Sequence, residues 1–343
     1  MGNAIIEHVP LGSQWPMVDP FLFCAHHNDR YPAGTTQLGP VGGTSGRNIG
    51  SDFSGKDGWS MYHGTVIPGF PMHPHRGFET ITFVRKGLID HSDSLGAAAR
   101  FGRGDVQWVT AGAGISHAEM FPLLDHEGPN HAEFFQIWLN LPAASKMVDP
   151  HFTMLWSEDI PTVTFTDEAG RTTTVTVIAG PLNGATPPPP PPASWASNPA
   201  SDVAIWHLVL EPSAQWTLPA AAAGSVRTLY VFDGSSLGID GDWVDSGTGV
   251  MVDPTRPVEL TAGEGGVEVL LLQGRPIAEP VARYGPFVMN TRAEIEQAFR
   301  DYERTRFGSW QWDSLDPIHG TDKQRFARHA DGTTETRPVT SAS

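Results

Sequence analysis

His73-Pro74-His75 and, further along, His117-Ala118-Glu119 constrain this chain more than any other feature of it. Each places two ligand-capable side chains two residues apart, and in an extended strand residues i and i+2 project from the same face. Two such strands facing each other inside a small barrel would aim four donors at one point, which is the outline of a metal site. Helices that bind zinc in proteases carry histidines four apart with a glutamate between them, so the spacing excludes that arrangement. The chain has 14 histidines, and a lone histidine is more often a surface or hydrogen-bonded core residue than a ligand. Two same-face pairs in neighbouring strand-like segments are harder to dismiss.

The surrounding residues read as strands. Phe78-Glu79-Thr80-Ile81-Thr82-Phe83-Val84 is aromatic and β-branched and stops at Lys86-Gly87, and Asp105-Val106-Gln107-Trp108-Val109-Thr110 lies between Gly104 and Gly112. Three imidazoles and one carboxylate, with no thiolate, suit a divalent transition metal: Fe(II), Mn, Ni or Cu, or Zn in a catalytic rather than a structural site. A six-coordinate ion held by four protein atoms keeps two positions for water or substrate, which implies chemistry or small-molecule binding.

A length of 343 residues exceeds the usual size of one core and suggests two domains. The 37 glycines and 30 prolines fit an all-β protein with many turns. A formal charge of −16 argues against direct nucleic-acid binding, which depends on Lys and Arg neutralising phosphates. Cys24 is the single cysteine, which excludes an intramolecular disulfide and reads as an ordinary buried thiol. The first residues lack the charge and apolar core of a secretion signal, and no apolar run is long enough to cross a bilayer. A cytoplasmic location with no membrane contact is the expectation.

Along the chain, β-rich runs and glycine turns recur from about residue 60 to 140, ending in Phe134-Phe135-Gln136-Ile137-Trp138-Leu139 before Pro142, and define a first barrel over 1–160. Thr162 to Ile178 alternates threonine with apolar residues and leads to the six prolines Pro187 to Pro192, which read as an exposed loop over about 183–200. Strands resume with Val203 to Leu210, Thr228 to Phe232 and Val267 to Leu272, giving a second barrel over 161–305. Its sole histidine is His207, so it has no matching metal set. A helix is expected over about 291–304, capped by Thr291 with Glu294 completing the box and Ile295, Ala298, Phe299 and Tyr302 forming its apolar stripe; it should pack across the sheets. Residues 306–343 form a tail, disordered from about Ala330.

Several of these segments resemble the pirin family of the cupin superfamily. Phe70-Pro71-Met72-His73-Pro74-His75-Arg76-Gly77-Phe78-Glu79-Thr80 is similar to its first motif, and the run from Gly104 through Gly112-Ala113-Gly114-Ile115-Ser116-His117-Ala118-Glu119-Met120 to its second. Asp19-Pro20-Phe21-Leu22, Gln136 to Pro142 and Gly285 to Thr291 extend the resemblance over residues 17–305, leaving the proline insertion and the tail outside it.

The resemblance implies an all-β fold of two cupin-type, double-stranded β-helix barrels. Its ligands would be His73, His75, His117 and Glu119, around an ion that in this family is usually iron. Glu79, a ligand in many other cupins, would stand behind them. The implied activity is that of a quercetin 2,3-dioxygenase acting on a small aromatic substrate and O2. Glu119 could then serve as general base and Phe70 line the pocket, while strand parity would turn Phe78 away from the histidines. The competing reading is a metal-dependent regulatory or redox-sensing protein that acts through an unnamed protein partner. A monomer is expected in either case.

Overall fold

The computed structural model describes residues 4–339, and the expected all-β class holds: strands dominate, with one α-helix, Arg292–Thr305, among the described residues. No helix in them is long and apolar enough to cross a membrane. The chain forms two compact units. One comprises the described residues up to Ala25, Ile137–Asn140 and Ser157–Ala278; the other comprises His26–Gln136, Leu141–Trp156 and the described residues from Glu279 onward.

These units depart from cuts near residues 160 and 305, and strand pairing is the reason. The first strand, Ile5–Pro10, pairs with Thr248–Val252 and so belongs with the second barrel. The tail strand Arg325–Arg328 pairs with Ala98–Gly102 and belongs with the first. The last described turn also differs from the expected disorder after Ala330. Thr334–Arg337 forms a strand on Arg325–Arg328, while residues 340–343 lie outside the described part.

The unit without the histidine pairs contains a seven-stranded and a four-stranded sheet. Its core is aliphatic, with Val175, Leu208, Leu229, Val250, Leu260 and Leu271 drawn from both sheets. The three strong runs appear as Ala204–Leu210, Val226–Gly234 and Val267–Gly274, adjacent in the larger sheet. The threonine-rich stretch is a hairpin, Thr162–Thr166 with Thr172–Ala179, and the proline tract carries no strand. His207 Nε2 lies 2.8 Å from the Glu268 carboxylate. Cys24 is buried, and that burial raises its thiol well above the ordinary range.

The other unit has a five-stranded and a six-stranded sheet. In the six-stranded sheet the strands run Thr334–Arg337, Arg325–Arg328, Ala98–Gly102, Leu88–Asp93, Ile115–Met120 and Gly69–His75. Phe78–Lys86 and Val106–Thr110 lie next to each other in the five-stranded sheet. The core between the sheets is aromatic, including Tyr31, Trp59, Phe101, Phe121, Phe134 and Phe152. The helix has the expected capping box, Thr291 with Glu294. It packs on the hairpin Ala282–Tyr284 and Phe287–Met289 rather than across the large sheets, through Ile295 and Ala298 against Phe287 and Met289.

Candidate metal centre

Both ligand pairs lie in strands, but on adjacent strands of one sheet, not on facing walls. Gly69–His75 pairs antiparallel with Ile115–Met120, which sets His73 directly opposite His117, His75 opposite Ile115 and Phe70 opposite Glu119. Directly opposed residues on neighbouring strands share a face at close Cβ separation, so side chains from one sheet are enough to gather a site.

The turn after His75 is held from several sides. Gly77 has φ +85°, and a Cβ there would fall 2.0 Å from the Val288 carbonyl oxygen, so no other residue fits. The Arg76 guanidinium donates to the Ala113 carbonyl at 2.7 Å and to Asp301 at 2.9 Å. Lys146 Nζ donates to the Gly77 carbonyl at 2.8 Å, and burial brings that ammonium down to about 8.

His73, His75 and His117 bring their ring nitrogens within 4.8 Å of one another, the one trio of this kind among the described residues. His73 is half-buried; His75 and His117 are buried. Nδ1 of His73 lies 2.9 Å from the Pro71 carbonyl, which can only accept, so Nδ1 carries the proton and Nε2 keeps its lone pair. That Nε2 points at Nε2 of His117, 3.1 Å away. Nδ1 of His75 faces the Pro286 carbonyl at 3.4 Å.

Burial holds His73 down to about 4, and pushes His75 and His117 well below the ordinary imidazole range. Neutral, mutually facing imidazole nitrogens are what a cation needs as ligands, because nitrogens sharing an ion at about 2.0–2.1 Å stand roughly 3 Å apart. The donor set therefore fits a divalent first-row ion.

Glu119 stands apart from that trio. Its two oxygens are engaged by the Thr82 hydroxyl at 3.1 Å and by the Gln136 amide, which donates at 3.0 Å. Burial raises its carboxyl. Glu79 is also buried, and accepts a hydrogen bond from Thr110 at 2.7 Å. Phe70 lies within the strand, stacked on Tyr62 with centroids 5.0 Å apart and tilted 6.2 Å from His73.

Phe78 corrects the parity argument. Its ring meets His75 edge-on at 5.1 Å, because the Gly77 turn ends one strand and starts another, and alternation does not carry across.

Sequence reasoning missed four neighbours: His91, Asp93, Thr82 and Gln136. His91 is fully buried, opposes Glu119 on the next strand, and lies 5.4 Å ring to ring from His117. Its Nε2 is 3.1 Å from Asp93. His91-Ser92-Asp93 has the same two-residue spacing as the pairs that were found, so the signal was present.

The buried imidazoles make the metal-free protein acid-sensitive. His73, held to about 4, and His27, brought to about 3 by burial and by His26, both lie below the ordinary 6.5. Above 6.5 both are neutral whether folded or not, and their stability is intact. Below it the unfolded chain binds more protons, so each residue costs up to about 1.4 kcal/mol per pH unit as pH falls towards its folded value. Asp29, raised to about 6 by burial, and Glu119, also raised by burial, act in the opposite direction, but His75 and His117, lowered like His27 and His73, outweigh them in number. Urea unfolding with chelator present should show a lower midpoint at about pH 5 than at about pH 7. An unchanged midpoint would refute the assignment of neutral buried histidines.

Comparison with known proteins finds two matching family descriptions. The family description Pirin matches residues 5–139, and the description Pirin C-terminal cupin domain matches residues 205–308. A protein of Pseudomonas aeruginosa named "Putative quercetin 2,3-dioxygenase" is 37% identical over 243 residues, 70% of this chain and 79% of its own length. Pirin-1 of Arabidopsis thaliana is 37% identical over 248 residues, 71% of this chain and 80% of that protein. Among solved structures, a quercetin 2,3-dioxygenase from Acinetobacter baumannii superposes with a TM-score of 0.70 at 27% identity, covering 89% of this chain and 98% of the other.

Proposed function

Because this chain belongs to the pirin family, we propose that it is an Fe(II)-dependent oxidoreductase that uses O2 to open flavonol-like substrates, with His73, His75, His117 and Glu119 as the protein ligands. The convergence of three neutral, thiolate-free imidazoles on one point carries the reading. The quercetin 2,3-dioxygenase names of the relatives and of the superposable structure support the reaction class. When bound, a divalent ion supplies Lewis acidity, which lowers the pKa of a substrate hydroxyl placed against it.

The remaining work falls to side chains. The three imidazoles, fixed by strand register and by the Pro71 and Pro286 carbonyls, hold the charge in place. Glu119, whose proton affinity burial has raised, is the group to accept the hydroxyl proton, and Thr82 and Gln136 aim its carboxylate. Phe70, with Phe78 on the other flank of the histidines, offers an apolar face to a flat aromatic ring.

Anaerobic Fe(II) reconstitution, followed by O2 uptake and carbon monoxide detection with a flavonol panel, tests the proposal. Coupled O2 consumption and carbon monoxide release are expected, and Glu119→Gln should lose most of the turnover. Silence on every flavonol with a fully metallated protein would overturn the enzyme in favour of a non-catalytic regulator. Full turnover and metal content in Glu119→Gln would remove the base role.

A further inference from the structure

A cleft of about 430 Å³ opens in the metal-bearing unit, where Phe78–Lys86, Ala98–Gly102 and Ile115–Met120 end and Leu88–Asp93 and Asn130–Asn140 begin. None of the four proposed ligands lines it. The turn after His75 leads into the start of Phe78–Lys86, whereas the cleft takes Arg85 and Lys86 from that strand's far end. Its volume is that of a small-molecule site, and its walls include Leu88, Phe121 and Leu124.

The rim inverts the charge of the chain. Across the whole sequence 38 acidic residues outnumber 22 basic ones, yet Arg85, Lys86, Arg103 and Lys323 all line this cleft. Carboxylates lie close to them. Glu133 is shared by Arg85 and Lys86, the latter at 2.8 Å, Asp125 lies 3.6 Å from Lys323, and the Asp105 charge acts on Arg103. Of these carboxylates Asp125 alone lines the cleft, so four cations and one carboxylate face a concave, partly apolar space. His131, on the same wall, responds to that field: burial first and then the Lys86 ammonium push its proton affinity down.

We infer that this cleft binds a small organic anion, with an apolar body against Leu88, Phe121 and Leu124 and a carboxylate or phosphate head among Arg85, Lys86, Arg103 and Lys323. Clefts lined by one sign of charge concentrate ligands of the other, and guanidinium groups match both oxyanions in geometry. Lys323 comes from beyond residue 308, where the matched family descriptions stop. The tail thus supplies one cation of a site separate from the four proposed ligands. The inference does not depend on the proposed reaction.

Titration calorimetry of the full, metal-loaded chain with benzoate, with phenyl phosphate and with neutral benzyl alcohol tests it. One anion or the other should saturate a single site at sub-millimolar concentration, and the stronger arm identifies the head group. The double variant Lys86→Gln/Lys323→Gln, at two partly exposed positions, removes two of the four cations that line the cleft. It should weaken that binding by at least about tenfold, and added salt should weaken the wild-type binding too. Metal content should stay at the wild-type level in the same variant, which confirms an intact fold. Equal affinity for benzyl alcohol, no saturation by either anion at millimolar concentration, or an unchanged affinity in a well-folded double variant would overturn the inference.

Discussion

Alanine in place of His117 is expected to lower metal affinity by more than about a hundredfold, beyond the tenfold to hundredfold typical of losing a partner behind the ligands. His117 is fully buried, its Nε2 is 3.1 Å from Nε2 of His73, and it is the member of the trio supplied by the second strand. Without it, His73 and His75 on one strand and the Glu119 carboxylate remain, and a set that has lost its central buried imidazole does not hold a divalent ion against a chelator. The fold should tolerate the change, because Nδ1 of His117 has no hydrogen-bond partner to lose. His91→Ala is the internal comparison: it removes a ring beside His117 without removing a ligand, so its loss should stay within the smaller range. Metal per chain by mass spectrometry, with chelator competition, reads both variants. Stoichiometric, chelator-resistant metal in His117→Ala would place the site elsewhere.

The trio was legible because strand alternation is a local rule. His73 and His75, or His117 and Glu119, need only two residues of extended chain to share a face. What the rule does not give is which strands are neighbours, so facing strands were expected where adjacent ones occur. The environment of Glu119 was hidden for the same reason. Thr82 and Gln136 come from positions 37 and 17 residues away in sequence, and no local pattern links them to it. His91 is a different case, since its i, i+2 partner Asp93 was visible and the rule was simply not applied to it. Phe78 shows where the rule ends: alternation restarts after a glycine turn.

The unit boundaries were illegible from composition, since they depend on pairings between distant segments. Ile5–Pro10 meets Thr248–Val252, and Arg325–Arg328 meets Ala98–Gly102. The tail lies outside the family resemblance, and its polar end reads as disordered from about Ala330. Polar residues are nevertheless what tie it down. The His319 backbone N–H donates to Asp90 at 2.7 Å, Arg100 bonds the Asp322 and Gly320 carbonyls, and the Trp312 indole donates to the Asp93 carbonyl at 3.0 Å. Met72, next to His73, donates its backbone N–H to the Leu315 carbonyl at 2.7 Å. Residues beyond the family match therefore brace the strand that carries His73 and His75 and two others of the same sheet.

Arg325→Met should accordingly destabilise the unit that holds the histidine trio by about 3–5 kcal/mol, the usual cost of leaving one partner of a buried ion pair uncompensated. The Arg325 guanidinium is 2.7 Å from Asp105, and both side chains are wholly buried. Arg325 also donates to the Pro338 carbonyl at 3.0 Å, so the same side chain fastens the end of the tail. Asp105 has a second duty, accepting the Gly102 N–H at 2.9 Å in the turn before its strand. Asn at 105 keeps an oxygen for that bond while removing the charge. The double variant Asp105→Asn/Arg325→Met should therefore recover a large part of the loss, because a neutral amide is far cheaper to bury than an unpaired carboxylate. An exposed pair such as Arg292 with Glu296 sets the contrast, with a cost below about 1 kcal/mol on removal. Urea unfolding of the four proteins measures all of this. A loss below about 1 kcal/mol for Arg325→Met, or a double variant no more stable than the single, would mean that the tail does not seal Asp105 from water.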